Sequence, residues 1–164
     1  MNTAHIHLLV THLPIIGSLI GFLILLFAAI KKDNNIKIAA YLVFILCAIG
    51  AAISYATGEG AEEVVEKIPG VLESAIETHE DAAMISLIAM ITLGITAIAG
   101  IFQISYQWIK FKFIHNLIVL IALISLISIA YAGNLGGKIR HTEIADLSTL
   151  QNTNEQPSKE GDDD

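Results

Sequence analysis

Cysteine is almost missing: Cys47 is the only one in 164 residues. No intrachain disulfide can form, and a cysteine-pair motif for covalent haem attachment is lacking, so any haem would be held without thioether bonds. Charge is scarce as well, at 15% of residues against 54% hydrophobic, with a mean hydropathy of +0.67. That is a membrane composition. The chain also lacks a phosphate-binding glycine loop, a nucleophile with a base at useful spacing, and any nucleic-acid signature. Its size suits one compact helical bundle.

What the chain has instead is long apolar runs. From Ile6 to Ile30 there is no Asp, Glu, Lys or Arg, and at ~1.5 Å per residue this stretch is long enough to cross a bilayer. It has no basic leader, is longer than a signal peptide, and ends in Ile30-Lys31-Lys32 with no small-residue cleavage site, so it reads as retained. Three more spans follow, about Ile38 to Ala56, Ala82 to Ile109 and Phe113 to Ala132. The expected fold is all-α: a four-helix transmembrane bundle of up-down topology over residues 1–142, followed by a disordered acidic tail over 143–164.

The net charge of −7 is informative only by position. Lys31, Lys32, Lys37, Lys110 and Lys112 flank Asp33 alone in the short loops, while every other carboxylate lies on the opposite side. The positive-inside rule makes the lysine loops cytoplasmic and places both termini in the periplasm of a bacterial inner membrane. Trp108, Tyr106, Tyr55 and Tyr131 fit interfacial aromatic belts. In the acidic loop, Ala61, Val64, Val65 and Ile68 recur at helical spacing and predict a short amphipathic helix capping the bundle before Pro69-Gly70. A second helical pattern runs from Val71 into span three with His79 on its apolar stripe. After span four, Gly133-Asn134-Leu135-Gly136-Gly137 is expected to turn sharply and carry Lys138, Arg140 and His141 over the outer mouth.

Topology sorts the six histidines. His5, His7 and His12 open span one, His79 precedes span three and His141 follows span four, all on one membrane face; His115 belongs to the other. His12 would sit about 9 Å inside the apolar run, where a polar side chain is a functional candidate by default. Pro14 frees the Val10 carbonyl beside it. His7 is five residues from His12, about 140° around a helix, whereas His5 and His12 share a face. Headgroup-level hydrogen bonding accounts for His5 and His115. Cys47, Met84 and Met90 read first as packing residues, though Met90 shares the stripe of His79 and a thioether can ligate haem. Ser18, Ser54, Ser86, Ser125 and Ser128 read as bonding within or between helices.

These residues resemble the bacterial four-span membrane protein family of unknown function, domain of unknown function 2231. The resemblance is carried by His7-Leu8-Leu9-Val10-Thr11-His12-Leu13-Pro14, by the Gly- and Ala-rich end of span two from Gly50 to Gly60, by His79, and by Gly136-Gly137-Lys138-Ile139-Arg140-His141. It covers roughly residues 5 to 142. Leu8 stands where the family usually has proline, and the loop from Gly60 to Glu77 is more acidic than is usual. The resemblance implies an integral membrane protein and assigns no activity.

The chemistry therefore follows from the histidines. The leading expectation is an electron-transfer protein with a b-type haem near the periplasmic face. Its axial ligands would be His12 with His79 or His141, with His7 as a spare; Arg140 and Lys138 would be placed for the propionates. Quinol would supply electrons and a basic periplasmic cytochrome would take them from the acidic face. Gly17, Gly21, Gly50, Ala51, Ala52, Gly94 and Gly100 either let helices approach or make room for a flat cofactor, and the sequence leaves both open. One alternative is an accessory subunit of a larger membrane complex without a cofactor. Another is a non-haem transition-metal site of His7, His12, His79 and His141 with Glu77, Glu80 or Asp81. An electron carrier or accessory subunit is expected rather than a stand-alone enzyme, with the lipid bilayer as solvent.

Overall fold

The computed structural model describes residues 3–106 and 113–140. Every regular element among them is helical: α1 (Thr3–Lys31), α2 (Asn34–Ala56), α3 (Gly58–Val65), α4 (Glu73–Tyr106) and α5 (Ile114–Arg140). Four of the five, all but α3, are long and apolar enough to cross a membrane. The short loop that carries Lys110 and Lys112, Trp108, His141 and the acidic tail lie outside the described residues.

Local chemistry sets the helix ends. At the end of α1 the Lys31 ammonium stands 5.6 Å from the Phe27 ring centroid, where a cation also suits the negative end of the helix. Lys32 then takes a left-handed φ of 54°. The Asp33 carboxylate starts α2 by accepting from the backbone N–H groups of Asn35 at 2.7 Å and Ile36 at 3.3 Å, satisfying two donors that a helix N-terminus leaves without partners. α2 closes at Thr57, whose hydroxyl donates to the Ile53 and Ser54 carbonyls at 2.9 and 3.0 Å. Gly70, at φ +90°, makes the turn toward α4 that a side chain would strain.

Adjacent long helices run antiparallel. α1 packs along α2, α2 along α4 and α4 along α5, with a lighter α5–α1 contact completing the ring and α3 lying against the start of α1. α1 and α4 are thus diagonal, as are α2 and α5. The core is built from Tyr41, Phe44 and Cys47 of α2, Met90 and Leu93 of α4, and Ile118 of α5, all with no exposed surface. Large apolar side chains such as Leu23, Phe27, Leu46, Ile85 and Ile127 point outward, the arrangement expected where lipid is the solvent.

Backbone polar groups in such a bundle must be satisfied internally, and its buried side chains follow the same rule. Ser18 and Ser86 donate to Ile15 and Ala82 of their own helices at 3.1 and 2.7 Å, while Ser125 of α5 reaches the Ala89 carbonyl of α4 at 3.0 Å. Among the described residues no buried side-chain nitrogen or oxygen lacks a partner.

Two local expectations are corrected. The amphipathic helix ends at Val65 rather than reaching Ile68, which instead accepts from Val71 N–H in a turn. More consequentially, Gly133 to Gly137 does not turn: α5 continues through it to Arg140. Gly133 and Gly136 sit inside a helix where neighbouring side chains need the space. A β-carbon on Gly133 would stand 3.0 Å from Ile15 Cδ1, and one on Gly136 would stand 2.9 Å from His79 Cε1.

Candidate functional site

The candidate site lies at the end of the bundle that carries α3, and the helical phase of α1 decides its membership. Pro14, Ser18, Gly21, Leu25 and Ala28 form the buried stripe of α1. His7 precedes Pro14 by seven residues, about two turns, and so falls on that stripe; His12 is two residues from Pro14, about 200° away. His7 is accordingly half-buried, while His12 is exposed on the outward face. His12 Nδ1 bonds the Leu8 carbonyl of its own helix at 2.7 Å, not the Val10 carbonyl freed by Pro14. His12, the expected partner of His79, thus faces outward, whereas His7 lies on the packed face of α1.

His7 Nδ1 lies 2.8 Å from the Ser54 carbonyl in the last turn of α2, which also accepts from the Thr57 hydroxyl at 3.0 Å. His79, half-buried on α4 as the apolar stripe required, has its Nδ1 3.0 Å from the Ala132 carbonyl of α5. A carbonyl can only accept, so in both rings Nδ1 carries the hydrogen and Nε2 of the neutral ring keeps its lone pair. His7 and His79 both lie at this end of the bundle, on the diagonal helices α1 and α4.

Acidic groups rim this end. Glu62 of α3 and Glu80 of α4 share a hydrogen bond that, with some burial and the charge of Glu80, holds the Glu62 carboxyl above the ordinary carboxylate range. Glu77, Glu80 and Asp81 are exposed. Among the described residues no three His, Cys, Asp or Glu side chains are arranged around a common metal position. His5 is exposed, and so is Lys138 near the end of α5. His141 and the Arg140 side chain lie outside the described part, so the expected roles of His141 as ligand and of Arg140 at a propionate find no geometry here.

The small-residue faces bear on whether a porphyrin fits within the span. A β-carbon on Gly21 would stand 2.7 Å from Phe44 Cε1, one on Gly94 2.7 Å from Ala48 Cβ, and one on Gly100 2.7 Å from Ile118 Cδ1. At those glycines the faces are filled by helix packing. Met90 is likewise a core residue.

The lysine end holds a pair that sequence reading missed. His115, expected as a headgroup-level side chain, is half-buried, with its Nδ1 2.7 Å from the Tyr41 hydroxyl. The two rings stack at 14° with centroids 6.1 Å apart. The available signal was a tyrosine three residues into span two and a histidine two residues into span four, at the same membrane level. Comparisons of the chain with protein-family models, with curated proteins and with solved structures find no match.

Proposed function

We propose that the chain is an electron-transfer protein of a bacterial inner membrane, with both termini and α3 on the periplasmic side. In this reading His7 and His79 would hold an iron centre at the periplasmic mouth, carried as a b-type haem. The observation that carries this reading is the shared state of the two rings: each has Nδ1–H tied to a backbone carbonyl, which leaves the lone pair on Nε2, the arrangement that orients histidine ligands of metals. Imidazoles from diagonal helices also suit axial ligation across a four-helix bundle. When bound, such a group supplies one-electron chemistry; the protein's part is to hold the imidazoles oriented. Quinol from the bilayer is the donor in this reading. A basic periplasmic cytochrome is the acceptor, drawn by the acidic rim of Glu62, Glu63, Glu66 and Glu77.

Kinship with the four-span family that the sequence resembles belongs to the same proposal. The family's histidine at the head of span three corresponds to His79 and its closing glycines to Gly136 and Gly137. Fifty-seven positions separate His79 from Gly136, yet the two are in contact.

A second reading, a bare transition-metal ion on the same imidazoles, is favoured by the packed glycine faces, since an ion needs no flat cavity. A reduced-minus-oxidised visible spectrum of the purified protein, with metal analysis of the same sample, separates the two. A b-type band with stoichiometric iron is expected; bound metal without a Soret band selects the bare ion. No metal after haem and metal supplementation sinks both and leaves an accessory subunit.

A further inference from the structure

Gly136 and Gly137 are adjacent in α5 and differ sharply in surroundings. A β-carbon on Gly137 would meet nothing within 4 Å, whereas one on Gly136 would stand 2.9, 3.3 and 3.4 Å from Cε1, Nδ1 and Nε2 of His79. The imidazole therefore lies over the position where the Gly136 side chain would be. Ala132, whose carbonyl accepts from His79 Nδ1 at 3.0 Å, is four residues earlier and so on the same face of α5. Ala132 and Gly136 form one seat: the carbonyl fixes the ring's hydrogen on Nδ1, and the missing β-carbon lets the ring come down onto the helix.

We infer that Gly136 is a positioning residue for His79, letting the ring reach the Ala132 carbonyl that fixes its hydrogen on Nδ1 and leaves the lone pair on Nε2 for a ligand. The imidazole is rigid and held at Nδ1, so a methyl at position 136 cannot be met by a small shift of a flexible chain end. The ring must rotate away from Ala132. Alanine is otherwise the better helix former, so without this contact Gly136→Ala would stabilise α5. The link to metal ligation rests on the proposed function; the seating of the ring does not.

The test uses full-length protein with ¹⁵N-labelled histidine in lipid nanodiscs, the His79 signal being assigned by its loss in His79→Ala. Wild type and Gly137→Ala are expected to show the Nδ1–H tautomer at His79, and Gly136→Ala to lose it. Cobalt(II) titration is expected to weaken on the order of 10-fold to 100-fold in Gly136→Ala, as when a supporting contact to a histidine ligand is removed, and to stay unchanged in Gly137→Ala. If Gly136→Ala lowers thermal stability, the loss is expected to vanish in a His79→Ala background. Retention of the Nδ1–H signature in Gly136→Ala, or an equal loss of stability with and without His79, overturns the inference. A tautomer change in a protein whose wild type binds neither cobalt nor haem keeps the seating and defeats the functional reading instead.

Discussion

Tyr41 is a polar aromatic residue with no exposed surface, tolerated in the apolar core because its hydroxyl finds His115 Nδ1 at 2.7 Å. Removing one member of a buried pair leaves the other unsatisfied, at a cost of about 1–3 kcal/mol. Tyr41→Phe should therefore lower the unfolding temperature in detergent, and adding His115→Leu should recover much of the loss, because replacing both partners by apolar groups strands neither. A double variant as unstable as Tyr41→Phe alone would show that the hydrogen bond is not what matters. This pair was poorly legible in the sequence because its members are 74 residues apart and each alone looks interfacial. His7 and His12 failed to sort for another reason. Depth in the span favoured His12, but helical phase governs which side chain enters a bundle. The stripe from Pro14 through Ser18 and Gly21 was there to show it.

At the scale of elements, α3 is an eight-residue helix with no buried residue, and isolated helices this short are marginal in water. Its contacts with α1, where Thr3 lies against Gly60, and the Glu62–Glu80 hydrogen bond to α4 hold it in place. Glu62 binds its proton more tightly in the folded protein than in an unfolded chain. Its contribution is thus complete below the ordinary carboxylate range and is lost as pH rises through the raised folded value. Amide exchange of Gly58–Val65, corrected for intrinsic rates, should show protection falling as pH rises through that window. Glu62→Gln should flatten the profile; an unchanged profile in that variant would count against the shared proton. Helix existence and the four spans were legible because charge-free runs and apolar periodicity are strong signals. The helical path through Gly133–Gly137 was not, since glycine marks a turn and a close approach alike, and only the position of His79 distinguishes them.

At the scale of the molecule, four long helices enclose a tightly packed core, and among the described residues the charged side chains lie at the two ends. The α3 end carries His7, His79 and the carboxylates; the other carries Lys31, Lys32, Lys37 and the Tyr41–His115 pair. In a Cys47→Ala background, a cysteine at Glu63 should react with a membrane-impermeant maleimide in the periplasm of cells, and one at Asn34 should not. The reverse pattern would invert the proposed orientation. The central claim is that His7 and His79, rather than the more deeply placed but outward His12, hold a metal centre. The most direct measurement is the metal and haem content, with the visible spectrum, of His7→Ala, His79→Ala and His12→Ala purified side by side with wild type under the same supplementation. Loss of the bound centre in the first two and retention in the third is the predicted result. Retention in His7→Ala or His79→Ala, or loss in His12→Ala alone, would contradict it.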